Sequence, residues 1–395
     1  MAVKLVLLGI GVCLVLSHLG AVQGAERRGP AAAPAVPGVV VAHSPASSRK
    51  YIGCPGLVIL PDGSYVASHS HFGPGSTGDR MFVYRSSDKG RSWQRLTEVK
   101  GQWWSSLFLH RGGLWLMGVS RRYGHVVIRR SADGGRTWTT PADARTGLLL
   151  AGGQYHTAPV PVAVHNGRIW RAMEDRNPPT GWASTFRAFV MSAPADADLL
   201  DAKCWTASNR LRFRREWLAR GTRPGWLEGN VVAAPTGRLV NVLRVNAEPG
   251  YRKAAIVDVS ADGRKVSFDP AAGLIDFYGG MSKFTIRHDA ATKRYWTLGS
   301  LVTHPKNPRQ RNTLALTSSA NLRDWRVESV VLRHDEGGVS WRASKVGFQY
   351  VDWQFEGEDI VFVSRTAFAG AHNYHDANYL TFHRLRDFRK LSRSP

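Results

Sequence analysis

The sequence is poor in cysteine, in long apolar runs and in the patterns of long amphipathic helices. Its 395 residues contain three cysteines, Cys13, Cys54 and Cys204. Cys13 lies in the apolar run near the amino terminus, so the other two can form at most one disulfide in an oxidising compartment. Because Cys54 falls on a predicted inner strand and Cys204 on a predicted outer one, we expect two separate buried thiols rather than a disulfide.

Only one apolar run is long, and it lies at the amino terminus. Lys4 precedes the run Leu5–Leu16, and small residues follow up to Ala25. A charged start, an apolar segment too short to span a membrane and a small-residue cleavage site are typical of a secretory signal peptide, here residues 1–24. A transmembrane anchor is the alternative. We predict an exported protein, periplasmic or extracellular, without stable membrane insertion once the signal is removed.

Acidic residues are also scarce relative to basic ones. The chain carries 53 Lys and Arg against 30 Asp and Glu, a formal net charge of +23. The arginines are scattered rather than gathered in one helix or tail, so no nucleic-acid partner is indicated. A basic surface raises the local concentration of anionic partners, and for an exported protein an acidic glycan is the expected one. A basic, solvated surface without such a partner explains the charge equally well.

Two short stretches repeat one pattern of polar and aromatic residues. Ser86–Trp93 and Ser131–Trp138 both read Ser-x-Asp-x-Gly-x-[Ser/Thr]-Trp. The Asp and Ser side chains can bond to backbone groups of a tight turn, the glycine adopts positive φ at no steric cost, and the Trp packs from the following strand. The pattern resembles the Asp-box (BNR) repeat of sialidase-like β-propellers. In that family the box is structural and lies away from the active site.

Six apolar strands each lead into a similar polar turn, which indicates six copies of one unit. The turns begin at Leu60, Arg111, His165, Pro235, His288 and Glu356. We predict an all-β fold, a six-bladed β-propeller of four-stranded antiparallel blades at residues 44–388. A Pro/Ala-rich linker is predicted at 25–43 and a basic tail at 389–395. A strand near residues 39–41 is expected to close the ring against the last blade.

The resemblance to sialidases implies roles for residues at the starts of inner strands. By that resemblance Tyr350 is the nucleophile and Glu228 is the base that takes its proton. Arg244 and Arg311 correspond to arginines that bind a substrate carboxylate. Where sialidases carry a further arginine, two residues before a proline, this chain has Gly53, which argues against true sialidase activity. The alternative for each of these side chains is an ordinary structural role in the core or on a strand surface.

The general acid is less sharply defined than the nucleophile. In the family it lies in the loop before the first Asp box, where His71 and Asp79 are the candidates, with His69 beside them. A solvated polar loop is the alternative reading of that stretch. Other polar residues are expected to line the funnel as substrate-binding groups, namely Lys283, Tyr155, His156, Glu174, Arg365, His375 and Asp376. Three well-placed metal ligands are not evident among them, so we expect no metal and no cofactor.

These observations predict an exported glycoside hydrolase that acts from the chain end of a carboxylated or sulfated glycan. The resemblance implies a retaining mechanism with a Tyr nucleophile, and we expect a monomer. Two alternatives stay open. One is a polysaccharide lyase in which Tyr and His abstract a proton beside a uronate carboxylate; the other is a glycan-binding propeller without catalysis.

Overall fold

A computed structural model describes residue 1 and residues 35–218, 224–246, 252–279, 281–304, 307–337, 339–340 and 342–391. The predicted signal peptide after Met1, residues 25–34 of the predicted linker and residues 392–395 of the predicted tail lie outside the described residues. In the described ranges, no helix has the length and apolar character needed to cross a bilayer. Nearly every regular element in these ranges is a β-strand.

The strands form six sheets, and within each sheet neighbouring strands run antiparallel. In the first three blades the strands follow one another from the innermost to the outermost. The first blade consists of Tyr51–Ile59, Tyr65–Phe72, Arg80–Ser86 and Gln94–Lys100. The second consists of Trp103–His110, Gly113–Val119, Val126–Ser131 and Leu148–Leu150. The third has interrupted first and last strands and consists of Tyr155–His156 with Ala163–His165, Arg168–Arg176, Phe186–Pro194, and Thr206–Ala207 with Leu211–Arg212.

The last three blades repeat this plan, except that the outermost strand of the sixth blade comes from the amino-terminal side of the domain. The fourth consists of Gly225–Ala233, Leu239–Asn246, Lys253–Val259, and Val266–Ser267 with Leu274–Asp276. The fifth consists of Thr285–Asp289, Arg294–Ser300, Thr313–Ser319 and Trp325–Arg333. The sixth consists of Gly347–Glu356, Asp359–Ala367, Tyr379–Leu385 and Val39–His43. The helical turns of the described chain are Ala46–Ser48, Ala202–Cys204, Arg215–Trp217 and Phe388–Leu391.

Each of the six predicted turns joins the innermost strand of a blade to the second strand. The predicted six-bladed β-propeller of four-stranded antiparallel blades is therefore confirmed. All six turns lie at one end of the inner strands, because every blade begins in the same direction. The starts of the inner strands, where the sequence places the site residues, lie together at the opposite end.

The hydrophobic core is divided into packed layers between neighbouring blades. Trp170 of the third blade and Trp226 of the fourth share one such layer, and Trp296 of the fifth blade packs with Trp353 of the sixth in another. All four indoles are at most 1% exposed. Burial of large aromatic side chains is a main source of stability. Each blade is thus held by the next one rather than by a core of its own.

The ring is closed by a strand from the amino-terminal side of the domain. Val39–His43 pairs antiparallel with Tyr379–Leu385 and forms the outer edge of the sixth blade. This strand occupies residues that the sequence assigns to the end of the linker. Val41 is buried against Leu380 and the first blade, so the strand is part of the packed domain. Closure of the ring by two distant parts of the chain fixes the first and last blades to each other.

The two repeated stretches adopt the same hydrogen-bonded turn. In Ser131–Trp138 the carboxylate of Asp133 accepts hydrogen bonds from the Thr137 backbone at 2.9 Å and from the Thr137 hydroxyl at 2.6 Å. Ser131 Oγ accepts the N–H of Gly135 at 2.8 Å, and the Trp138 indole donates to the Gly135 carbonyl. The stretch Ser86–Trp93 makes the corresponding bonds. The turn is therefore specified by local side-chain contacts.

The cysteines Cys54 and Cys204 are both free thiols. Cys54 is buried near the start of the innermost strand of the first blade. Cys204 ends the helical turn Ala202–Cys204 and is only half-buried, which differs from the expected buried position on an outer strand. Burial raises the pKa of the Cys54 thiol to about 12, so this group stays protonated at neutral pH.

Candidate active site

Four of the six innermost strands carry the same irregularity near their start. In each, the pairing register with the second strand shifts across an extra residue. One residue of each bulge has positive φ, and these residues are Cys54, Trp104, Glu228 and Tyr350. Non-glycine residues rarely adopt this conformation, and such strained positions and bulges are common at functional sites. All four side chains line one cavity at this end of the propeller.

The centre of the site is a contact between residues of the fourth and sixth blades. The hydroxyl of Tyr350 donates to Glu228 Oε1 at 2.9 Å. Arg244, on the strand next to Glu228, donates from Nη1 to Glu228 Oε2 at 2.8 Å and to the Tyr350 hydroxyl at 3.1 Å. The three residues that the sequence assigns as nucleophile, base and carboxylate-binding arginine thus form one hydrogen-bonded group.

The surroundings of Tyr350 and Glu228 keep the proton between them on the tyrosine hydroxyl. Burial and the neighbouring Glu228 carboxylate raise the pKa of Tyr350 above its ordinary value. Burial opposes ionisation of Glu228, but Arg244, His156 and the hydrogen bonds from Arg244 and Tyr350 outweigh it and hold the pKa of that carboxyl below its ordinary value. At neutral pH the pair is therefore a phenol beside a carboxylate. This is the arrangement in which the carboxylate can take the proton as the phenol oxygen attacks.

Two further arginines surround the tyrosine. Arg365 of the sixth blade lies over the Tyr350 ring, with its guanidinium carbon 4.8 Å from the ring centroid, and donates to the carbonyl of His375. Arg311 lies behind the site and donates to Gln349 Oε1 at 2.9 Å and to Ser282 Oγ at 2.7 Å. Arg365 lines the cavity, whereas the guanidinium of Arg311 is held by protein groups. The site is consequently rich in positive charge around a single tyrosine–glutamate pair.

A histidine of the third blade lies close to this group. His156 Nδ1 is 2.8 Å from Glu174 Oε2, and the two residues are cross-strand neighbours. The other carboxylate oxygen of Glu174 accepts the backbone N–H of Glu228 at 2.7 Å. Glu174 is fully buried and His156 is 4% exposed. The sequence places both among the substrate-binding groups; in the structure only His156 lines the cavity, and Glu174 supports it from behind.

The cavity has a volume of about 690 Å³ and a wall that the sequence did not reveal. Its aromatic residues are Phe72, Trp103, Trp104, Tyr123 and Trp182. Trp182 comes from the loop between two strands of the third blade, is 42% exposed and lies over the Arg244 guanidinium at 5.4 Å. Arg122 adds a cation at the rim. Trp104 shares its place in the repeat with Glu228 and Tyr350, so a comparison of the inner-strand starts is the signal that could have found it.

Several predicted site residues lie outside this cavity. His71 packs against His69 and Phe82, and Asp79 bonds to Thr77 and lies 3.6 Å from Arg80. Neither His71 nor Asp79 lines the cavity; the His71 ring packs within the first blade, and Asp79 is 37% exposed beside Arg80.

Two other predicted funnel residues are structural. Tyr155 is buried in the core between the second and third blades. Lys283 is 1% exposed, and its ammonium donates to Thr285 Oγ1 at 2.6 Å and to the Val351 carbonyl at 2.7 Å. Burial lowers its pKa to about 8. Lys283 thus joins the fifth blade to the sixth below the site instead of facing a substrate.

His375 and Asp376 form a supporting pair at one side of the cavity. His375 Nδ1 is 2.8 Å from Asp376 Oδ1, and Asp376 is also 2.9 Å from His372 Nδ1. Of this pair His375 lines the cavity. Burial and the nearby Arg365 lower the pKa of His375 to about 4, so it is neutral at physiological pH. Within the described residues, no group of three His, Cys, Asp or Glu side chains is arranged to hold a metal ion.

Comparison with known proteins identifies the architecture at low sequence identity. No family model and no curated protein sequence matches the chain. An α-L-arabinanase structure from Penicillium chrysogenum matches with a TM-score of 0.54 and 15% identity, over 90% of this chain and 99% of that one. The Hadza microbial sialidase Hz136 matches with a TM-score of 0.59 and 14% identity, over 88% and 68%. A Trypanosoma rangeli sialidase matches with a TM-score of 0.55 and 14% identity, over 86% and 55%. The fold is that of the sialidase-like β-propellers.

This sialidase-like propeller departs from the sialidase pattern at Gly53. A Cβ atom at that position would meet the Phe72 ring at 3.0 Å. The guanidinium carbon of Arg365 lies 4.3 Å from the centroid of the same ring. A cation of the sixth blade therefore lies near the place where the resemblance expects an arginine of the first blade. Arg365 thus supplies positive charge near that place, but from a strand of the sixth blade rather than the first.

Proposed function

We propose that this chain is a retaining glycosidase that acts on a glycan carrying a carboxylate or sulfate. The observation that carries the proposal is the 2.9 Å contact between the Tyr350 hydroxyl and Glu228 Oε1 inside a cavity. In the first step Tyr350 Oη attacks the anomeric carbon while Glu228 accepts its proton. A tyrosine nucleophile suits an acidic sugar, because a neutral phenol approaches an anionic substrate without the repulsion that a carboxylate would meet.

The charge of the cavity supports an acidic substrate. Arg122 and Arg365 line it, and Arg244 lies directly behind Glu228. The lining contains Glu228 as its one acidic side chain among the described residues. A guanidinium binds carboxylate or sulfate oxygens through paired N–H donors, and the aromatic wall offers flat surfaces for the faces of a sugar ring. Glycosidases of the same fold, the arabinanase and the sialidases named above, support the reaction class.

A panel of fluorogenic methylumbelliferyl glycosides tests this proposal. The panel contains sialic, glucuronic, galacturonic and iduronic acid glycosides, with the glucoside as a neutral control. We expect fluorescence from at least one acidic sugar and little from the glucoside. Proton NMR of the first-formed product should show the anomer of the substrate, since two displacements retain configuration.

The matched variants are Tyr350→Phe and Glu228→Gln, each compared with the wild-type chain at equal folded concentration. Both should lose most of kcat. Release of an ultraviolet-absorbing unsaturated sugar from a uronate polymer, without hydrolysis of any glycoside, would replace the proposal with the lyase alternative. Binding of the acidic sugars without turnover would replace it with the glycan-binding alternative.

We further propose that the protein is exported and works as a monomer on a polymeric or conjugated glycan outside the cytoplasm. The support for export is the charged start and the apolar run Leu5–Leu16, followed by small residues. Expression of the full chain with a carboxyl-terminal tag should yield a processed product outside the cytoplasm that begins near Ala25. Amino-terminal sequencing of that product and its elution volume in gel filtration check the two statements separately.

A further inference from the structure

A glycosidase of this kind needs a proton donor for the leaving group, and neither His71 nor Asp79 of the first-blade loop lines the cavity. The side chains of His71 and Asp79 are engaged outside the cavity. The lining carboxylate, Glu228, already accepts the hydroxyl proton of Tyr350 and the N–H of Arg244. The group that protonates the departing oxygen must therefore be sought elsewhere on the cavity wall.

His156 has the chemistry and the position for this task. It lines the cavity from the third blade, and its ring lies 4.4 Å from the Trp104 ring and 4.6 Å from the Phe186 ring. Its Nδ1 is held by Glu174 at 2.8 Å, which leaves Nε2 as the second nitrogen. Nε2 makes no hydrogen bond to any described residue. A buried imidazole that is bonded at one nitrogen and unbonded at the other is a typical proton-transfer group.

Glu174 links this imidazole to the nucleophile pair. One oxygen of its carboxylate contacts His156 Nδ1, and the other accepts the N–H of Glu228 at 2.7 Å. His156 also interacts electrostatically with the Glu228 carboxylate of the fourth blade, which is paired with Arg244. The Tyr123 ring of the second blade lies 6.3 Å away. A carboxylate that accepts the Nδ1–H of an imidazole fixes the orientation of the ring.

We propose that His156 is the general acid and base of the reaction and that Glu174 is the residue that positions it. This inference rests on the proposed glycosidase function and names the missing member of its machinery. In the first step Tyr350 Oη bonds to the anomeric carbon and its proton passes to Glu228. The bond from that carbon to the leaving oxygen breaks, and the oxygen takes the proton of His156 Nε2.

The second step returns every group to its starting form. A water oxygen bonds to the anomeric carbon while His156 Nε2 accepts one of its protons. The bond to Tyr350 breaks, and the phenolate recovers its proton from Glu228. The net change is the addition of one water across the glycosidic bond, and no oxidant or reductant takes part.

His156→Asn tests the acid role with little change in shape. The amide N–H of asparagine can take the place of Nδ1–H against Glu174, whereas Nε2 is removed. The probes are methyl and dinitrophenyl glycosides of whichever acidic sugar the wild-type chain hydrolyses in the methylumbelliferyl panel. Methoxide leaves poorly without a proton, and dinitrophenolate leaves well without one. We expect kcat/KM to fall by about 10²–10⁴-fold for the methyl glycoside and to stay within a few-fold for the dinitrophenyl glycoside.

Two further variants distinguish a loss of proton transfer by His156 from a loss of folded structure. His110→Asn changes a histidine at the far end of an inner strand, bonded to the Ala195 carbonyl, and should leave both probes unaffected. Glu174→Gln should lower turnover of the methyl glycoside more than that of the dinitrophenyl glycoside, because it acts through His156. If His156→Asn does not fold, as judged by thermal unfolding, Glu174→Gln supplies the same comparison.

The possible results distinguish failure of the His156 assignment from failure of the glycosidase function. Equal losses on both probes in His156→Asn, or no loss on either, would overturn the assignment of His156 while the glycosidase function stood. Turnover of no probe by the wild-type chain would overturn both. A pre-steady-state burst of dinitrophenol in His156→Asn, with a sugar adduct on Tyr350 seen by mass spectrometry, would support the base role in the second step.

Discussion

Tyr350 and Glu228 should act as one catalytic unit, and a double-mutant cycle measures whether they do. The hydroxyl of Tyr350 and Oε1 of Glu228 are 2.9 Å apart, and Arg244 contacts both. The carboxylate serves to accept the tyrosine proton, so without the phenol it has nothing to activate. We expect Glu228→Gln to lower kcat by about 10²–10⁴-fold, the usual effect of losing a proton-transfer group. Tyr350→Phe should lower it at least as much, because it removes the nucleophile itself.

The kcat of the double variant should then be only slightly below that of the less active single variant. On this scale the coupling free energy between the two sites is about 3–5.5 kcal/mol, since each factor of ten is about 1.4 kcal/mol. The assay is the initial rate on the acidic methylumbelliferyl glycoside that the wild-type chain hydrolyses best. Fully additive losses, or near-normal turnover by Tyr350→Phe, would refute the reasoning.

Stability must be measured in the same cycle, because the two substitutions affect folding differently. Arg244 and Glu228 are each 3% exposed, so Glu228→Gln leaves a buried guanidinium without its carboxylate. Breaking such a pair costs about 3–5 kcal/mol. Tyr350→Phe keeps the ion pair and removes one hydroxyl, at a cost of about 1 kcal/mol. Rates are therefore compared per folded molecule, and Tyr350→Phe is the cleaner of the two single variants.

Three other predictions concern the turn, the substrate and the effect of pH. Asp133→Ala removes the bonds to Thr137 and should lower the free energy of unfolding, measured by urea denaturation, by about 1–2 kcal/mol. Turnover per folded molecule should be unchanged. A large loss of turnover at unaltered stability would contradict a structural role. Because Gly53 replaces an arginine and Arg365 donates to the His375 carbonyl, we expect little or no sialic acid release from sialyllactose, and efficient release would show that the replacement is harmless. Burial lowers the pKa of His383 from its ordinary 6.5 to about 4, so the unfolded chain binds the proton first and stability should fall as pH drops from 6.5 to 4, with a slope of about 1.4 kcal/mol per pH unit for each such histidine. The melting temperature measured across that pH range should depend less steeply on pH in His383→Gln than in the wild-type chain. An unchanged pH dependence would exclude His383 as a source of the loss of stability.

The sequence predicts the structure well where the interactions that fix a conformation are local. In Ser131–Trp138 the Asp, Ser and Gly bond within the turn itself, so the pattern of residues is sufficient to predict its conformation. The six polar turns predict the blade number for the same reason. The starts of the inner strands follow from the turns by counting, and the resemblance to sialidases assigns Glu228 and Tyr350 to two of these starts.

The proposed general acid does not follow from such local patterns. The loop with His71 and Asp79 is polar and lies at the expected place in the chain, but neither of these two residues lines the cavity. His156 lies on a two-residue strand with no motif around it. Its partner Glu174 is its neighbour only through the pairing of two strands, which is a property of the folded sheet.

The sequence alone therefore determined the architecture, because propeller turns and alternating strands depend on residues close together in the chain. Tertiary structure decided the site. Glu228 and Tyr350 meet across 122 residues, and the cavity draws its walls from separate blades. Their approach depends on closure of the ring by Val39–His43 and on bulges that give non-glycine residues positive φ. Such contacts result from the packing of whole blades, and no short stretch of sequence encodes them.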